Sequence, residues 1–190
     1  MDSAAVKAWR RAERERLVAL RMALSPQTRR EAAARIAASL LEIVGGRPGI
    51  VGIYWPFRAE FDPRPLVDAL VAAGRRVALP VVVDRRGPLE YRAWAPGEPL
   101  AAGVWDIPIP EQREVVLPSA VLAPLVGFDR ACYRLGYGGG YFDRTLAALD
   151  PRPLAIGVGF AAQEIATIHP QPFDIPMDLV VTEAGLRRPA

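Results

Sequence analysis

The chain has 190 residues, 51% of them hydrophobic, enough for one well-buried core and short for two. No run approaches about 18 consecutive apolar residues, and the opening MDSAAVKAWRRAERER lacks the apolar stretch of a secretory signal, so neither a membrane span nor export is expected. The net charge is +3, yet residues 1–35 hold nine basic groups against four acidic, a local +5 that leaves −2 for residues 36–190, whereas a nucleic-acid groove would want cations on several elements.

Residues 3–24 place Trp9, Leu17, Leu20 and Leu24 at near-helical spacing, which predicts a first helix rich in arginine. Ser25 as N-cap and Pro26 at the first helical position open a second helix running to about Val44. GGRPG breaks the chain, and the apolar IVGIYW at 50–55 predicts a buried strand. Residues 62–74 read as a helix closed by Gly74, RRVALPVV as the next strand, and LEYRAW at 89–94 as a half-exposed strand near a sheet edge. The Pro-, Gly- and acid-rich stretch 95–118 reads as a long surface excursion. AVLAPLVGF at 120–128 predicts a buried strand, 142–150 a helix, 153–160 a strand and 178–183 a last one. This alternation predicts a single α/β domain over 1–190, a mostly parallel sheet flanked by helices in a Rossmann-like three-layer arrangement. The one cysteine, Cys132, excludes an internal disulfide and fits a reducing, cytoplasmic setting; a monomer is the expectation.

Residues 134–146, RLGYGGGYFDRTL, put four glycines within five positions between a strand and a helix. Glycines allow several backbone N–H groups to converge, and a helix N-terminus adds partial positive charge, so phosphate is the natural guest. Arg134 could bind phosphate oxygens and Asp143 a magnesium ion bridging them. The plain alternative is a Gly-rich turn with Asp143 as a helix-dipole partner. The dinucleotide pattern G-x-G-x-x-G fails because Tyr141 and Asp143 stand where glycine is needed, and no lysine follows Lys7 to complete a P-loop.

RLGYGGGYFDR preceded by LVGFD resembles the signature of the 5-formyltetrahydrofolate cyclo-ligase (methenyltetrahydrofolate synthetase) family. RMALSP, YWPFRAEFDPRPLVDAL, RRVALPVV, VWDIPIP, IGVGFAAQ and MDLVVTE follow in the family's order, so the likeness spans nearly the whole chain. The resemblance implies an enzyme that uses ATP and magnesium to turn 5-formyltetrahydrofolate into 5,10-methenyltetrahydrofolate, releasing ADP and phosphate. It implies small-molecule substrates and no nucleic-acid or membrane partner.

The resemblance also implies residue roles. Arg10 and Arg14, an i,i+4 pair on the first helix, match the family's basic pair at the ATP phosphates. Arg134 with Gly136, Tyr137, Gly138, Gly139, Gly140, Tyr141 and Phe142 would wrap the phosphates, and Tyr137 and Tyr141 would also face the folate. Phe142 stands where the family often has a second tyrosine. Asp143 and Asp174 match magnesium positions, and Arg134, Tyr141 and Asp143 would carry the chemistry. Trp55, Glu60 and Trp105 match folate contacts; from the residues alone, Trp55 could equally be core, Glu60 a loop carboxylate and Trp105 loop packing. His169 and Cys132 read as structural, since neither has partners that would make a metal site or a dyad. Two other readings stay open: a nucleotide-binding regulator or paralogue of altered substrate, and an RNA-binding module using Arg10, Arg14 and Arg21.

Overall fold

A computed structural model describes residues 2–189. In chain order the elements are α1 (Ser3–Met22), α2 (Pro26–Val44), β1 (Ile50–Gly52), α3 (Arg64–Ala72), β2 (Arg76–Val81), β3 (Glu90–Trp94), β4 (Leu100–Ala102), β5 (Pro108–Pro110), β6 (Ala120–Pro124), β7 (Gly127–Phe128), β8 (Arg134–Leu135), α4 (Tyr141–Ala148), β9 (Leu154–Val158), β10 (Leu179–Thr182) and β11 (Gly185–Arg187). Seven strands form one sheet in the order β11-β10-β9-β6-β1-β2-β3. The five inner strands are parallel, and β3 and β11 run antiparallel at the two edges.

Local chemistry sets the helices. The Asp2 carboxylate accepts from the Ala5 amide at 2.7 Å and opens α1. Ser25 Oγ accepts from the Thr28 amide at 3.0 Å, with Pro26 leading α2. The i,i+4 row Ala32, Ile36, Leu40 and Val44 is wholly buried, and each of the larger side chains contributes about 1.5–3 kcal/mol by leaving water.

Alternation along the strands divides the core. Leu122, Ile156, Val158, Leu179 and Val181 face α2 and α3. Ala123, Ala155 and Val180 face the other way, toward Leu146 and Phe142 of α4. The smaller residues on that second face let α4 lie close to the strand ends. The three expected layers are therefore present.

Three expectations need correction. The strand read over 50–55 is regular only to Gly52, because the chain then bends outward toward a cavity, although the Ile53 amide still donates to the Ala78 carbonyl at 2.9 Å. The excursion 95–118 contains the β4–β5 hairpin, turned at Trp105 and Asp106 with φ of 58° and 57°. The run 120–128 is two strands, because the chain leaves the sheet after Pro124 and Gly127–Phe128 pair with Arg134–Leu135. Asp129 builds that turn, accepting the Ala131 and Tyr133 amides at 3.1 and 3.2 Å. The short edge strand β11 was not anticipated from sequence.

In β1, a Cβ on Gly52 would stand 2.6 Å from Cε1 of the buried Tyr91 ring. Gly52→Ala is expected to destabilise the chain by about 1–3 kcal/mol, lowering Tm by about 2–10 °C in calorimetry. An unchanged Tm would mean that the Tyr91 ring yields without penalty.

Candidate active site

A cavity of about 580 Å³ opens at the carboxyl ends of the parallel strands, and all fifteen residues singled out from the sequence line it. Its walls come from α1, the segment after β1, the β4–β5 hairpin, the loop 136–140 with the start of α4, and the segment at 173–174.

Helix α1 sends Arg10, Arg14, Leu17 and Arg21 inward along one face, at i, i+4, i+7 and i+11. Four of the five N–H donors of Arg10 are engaged: Nε on the Ile168 carbonyl at 3.0 Å, Nη2 on the His169 carbonyl at 2.9 Å and, with Nη1, on the Asp174 carboxylate. Arg14 is half-buried and donates from Nε to the Gly136 carbonyl at 2.7 Å, with no carboxylate partner among the described residues. Burial and the neighbouring Arg10 lower its pKa, though an arginine stays charged. The RNA reading needed Arg10 and Arg21 on an outer face, but both are buried; on the outside Arg11 pairs with Glu15 and Arg16 with Glu13.

The loop after β8 is held from its carbonyl side. Arg14 takes the Gly136 oxygen and Arg144 Nη1 the Gly139 oxygen at 2.9 Å. The amides of 136–140 find no acceptor among the described residues. Gly138 has φ of 97°, and a Cβ on Gly136 would stand 2.5 Å from Arg134 Nη1, so side chains are unwelcome at both. Gly140, at φ 65°, is the N-cap of α4, which leaves first-turn N–H groups without intrahelical partners.

Arg134 is buried behind this loop, with Nη2 donating to Asp143 Oδ2 at 3.0 Å and Cζ 5.0 Å over the Phe142 ring. Burial lowers its pKa, opposed by Asp143 and Asp174, which places both carboxylates near it. Arg134 Nε is buried without a partner, a donor that a phosphate oxygen would satisfy. Asp143 also accepts the Ile175 amide at 3.2 Å, and Asp174 the Gln171 amide at 2.6 Å. Among the described residues there is no group of three or more His, Cys, Asp or Glu able to hold a metal by itself. Two carboxylates with lone pairs left beyond their arginines still suit magnesium, which takes few protein oxygens and completes its shell with phosphate and water.

Aromatic rings build the opposite wall. Trp105 is 63% exposed on its hairpin and meets Tyr141 edge-on at 5.8 Å, while Arg144 lies 4.9 Å over the Tyr141 ring. Trp55 is both packed on the core and open to the cavity, with Arg64 4.7 Å above its ring. Phe57 meets Tyr137 at 5.8 Å. Glu60 Oε2 accepts the Phe57 amide at 2.9 Å, whereas Oε1 is buried without a partner. Burial pushes the Glu60 carboxyl up to about 7, against the Phe57 amide, Arg21 and Tyr137, which favour its charged form.

His169 does not line the cavity; its ring packs edge-on against Trp9 at 4.6 Å. Cys132 is buried with Sγ 3.7 Å from the Arg187 carbonyl. Sequence reasoning missed the apolar wall supplied by Ile107 and Ile109 of the hairpin, and gave Arg21 only an RNA-binding role, although its helical register with Arg10 and Arg14 signals an inward one.

A model of the 5-formyltetrahydrofolate cyclo-ligase family matches residues 6–183. The 5-formyltetrahydrofolate cyclo-ligase of Escherichia coli (strain K12) is 30% identical over 174 residues, covering 85% of this chain and 93% of its own. That of Mycolicibacterium smegmatis is 33% identical over 137 residues, covering 68% and 71%. The NMR structure of Aquifex aeolicus 5,10-methenyltetrahydrofolate synthetase superimposes with a TM-score of 0.82 at 28% identity, over 94% of this chain and 92% of that one. With the sequence match running from the first helix to the last parallel strand and the fold shared at that level, the chain belongs to the 5-formyltetrahydrofolate cyclo-ligase family.

Proposed function

We propose that the chain uses ATP and magnesium to convert 5-formyltetrahydrofolate into 5,10-methenyltetrahydrofolate, with ADP and phosphate released. One observation carries this reading: a single cavity holds unpartnered donors at one side, the amides of 136–140 and Arg134 Nε, and an unpartnered acceptor, Glu60 Oε1, among its lining residues. The donors suit a triphosphate, and the acceptor suits the N–H edge of a pterin stacked among Trp55, Phe57 and Trp105.

The chemistry follows from leaving groups. An amide oxygen departs poorly as hydroxide and well as phosphate. The formyl oxygen attacks the γ-phosphorus and ADP leaves; N10 then attacks the formyl carbon, loses its proton, and phosphate departs with the oxygen. No side-chain nucleophile is needed, so the protein's work is alignment and charge stabilisation. Arg14, Arg134 and the loop amides are suited to hold the γ-phosphoryl and meet its spreading charge. Glu60 and the aromatic wall orient the folate, and Tyr137 and Tyr141 border both substrates. Arg10 acts more through its hold on Asp174 than through free donors. Magnesium, held by Asp143 and Asp174, would supply positive charge against the phosphates when bound. We place this activity in a monomer, since one chain builds the whole cavity, and in the cytoplasm, which suits the free thiol of Cys132. No described helix is long and apolar enough to cross a membrane.

Methenylfolate absorbance is expected to rise only when ATP, magnesium and 5-formyltetrahydrofolate are all present. A regulator would instead be stabilised thermally by Mg-ATP and ignore the folate. Asp143→Ala, which loses a metal oxygen and the partner of Arg134, is expected to reduce kcat at least about a hundredfold. His169→Ala should stay close to the parent rate; a dead histidine variant would sink the assignment of catalysis to phosphate handling.

Glu60 gives the pH dependence. Its folded pKa, about 7, lies above the ordinary 4.5, so its neutral form is favoured in the free protein below pH 7, and the stability this contributes, full below 4.5, is lost as pH rises through 7. A pterin donating N–H bonds needs the carboxylate, so folate KM is expected to rise as pH falls below 7, and binding at pH 7 to release protons. Glu60→Gln should weaken folate binding, flatten that profile, and gain stability over the parent as pH increases. Calorimetry in buffers of different ionisation enthalpy checks the proton release.

A further inference from the structure

The whole of Arg21 is buried, 1% exposed, on the inward face of α1. It has no carboxylate within ion-pair distance among the described residues, and a buried cation without a counter-ion is a poor choice for stability alone. Its donors instead reach three separate segments. Nε donates to the Arg58 carbonyl at 2.9 Å, Nη1 to the Leu125 carbonyl at 3.1 Å, and Nη2 to the Tyr137 hydroxyl at 2.6 Å.

Two of these segments belong to the substrate loops. Arg58 and Ala59 have φ of 46° and 58°, two successive left-handed residues that are not glycine, so the turn between Phe57 and Glu60 is strained and must be held by its surroundings. Arg21 holds its carbonyl. The same turn brings Glu60 back onto the Phe57 amide and sets the Phe57 ring against Tyr137 of the glycine loop. The Tyr137 oxygen accepts from Arg21, and the same hydroxyl, like Arg21, favours the charged form of Glu60.

We propose that Arg21 is a positioning residue that fastens the folate-side turn 57–60 to the glycine loop through Tyr137, so that Glu60 is presented to the pterin in register with the nucleotide. The inference rests on the folate reading of Glu60. It explains why a helix facing the phosphates carries a third inward arginine that touches none of the glycine-loop carbonyls. The ionisable groups around Glu60 are Arg21 from α1, Tyr137 from the glycine loop, Tyr54 from the segment after β1, and Arg58 and Asp62 beside it in the chain. Arg21 and Tyr137 are the two that favour its charged form from outside that segment.

The test is the pH profile of kcat/KM for 5-formyltetrahydrofolate at saturating Mg-ATP, in the full chain and in Arg21→Gln, Tyr137→Phe and Glu60→Gln. The parent inflection near 7 is expected to move to higher pH in both Arg21→Gln and Tyr137→Phe. Folate KM at pH 7 should rise several-fold in both, with KM for ATP little changed in Arg21→Gln. Variants that lose thermal stability yet keep the parent inflection and folate KM would overturn the proposal and leave Arg21 a packing residue. If Arg21→Gln does not fold, Tyr137→Phe, which removes one hydroxyl, decides by the same criterion. Glu60→Gln separates the two ideas: an inflection that survives it overturns the folate role of Glu60 itself, whereas its loss there with no shift in the other two overturns only the role of Arg21.

Discussion

Arg14 donates to the carbonyl of Gly136 and Arg144 to that of Gly139, at 2.7 and 2.9 Å. Two guanidinium groups on the oxygen side of a five-residue loop restrict how its peptide planes can turn, and so fix where the N–H groups are offered. Without them, four glycines would sample many conformations and bind an anion only after losing that freedom. With them the loop is preorganised, which is what the proposed phosphoryl transfer would draw on. Asp143 extends the same logic by holding Arg134 behind the loop at 3.0 Å.

The arrangement constrains everything beneath it. For α1 to bring Arg14 to the loop it must lie across the strand ends, and it is fastened there by Arg10 on the 168–174 segment and Leu17 in the core. For α4 to begin at Gly140 it must lie close to the sheet, which the alanines and valine at 123, 155 and 180 permit. Arg10, Arg21 and Arg134 are taken out of water in the process, at a desolvation cost of several kcal/mol each unless their hydrogen bonds are met. Arg10 is met by two carbonyls and a carboxylate, Arg21 by two carbonyls and a hydroxyl. Arg134 is met only in part, its Nε being left over, and it is the one behind the glycine loop.

What could be read from the sequence was what short-range chemistry decides. Ser25 and Pro26 announce α2, the i,i+4 apolar row extends it, and four glycines between a strand and a helix announce a loop that leads into α4. What could not be read depends on distant partners. A solvated arginine and a buried one look alike in RMALSP, and Arg21 is distinguished only by oxygens at 58, 125 and 137. The β4–β5 hairpin is hidden because its prolines lie on a two-stranded ribbon, where a missing donor costs little, and not in the main sheet. The break after Pro124 turns on Asp129 capping a turn that composition does not mark. For the site the family resemblance supplied the positions, and the geometry adds what each has free: nearly nothing in Arg10, most of the guanidinium in Arg14, one oxygen in Glu60.

The most direct measurement is a crystal structure of the full chain with magnesium and a non-hydrolysable ATP analogue. Terminal phosphate oxygens lying within about 3 Å of amides in 136–140 and of Arg134 Nε, with the loop conformation retained, is the result predicted. A triphosphate bound elsewhere, with those amides still unengaged, would contradict it.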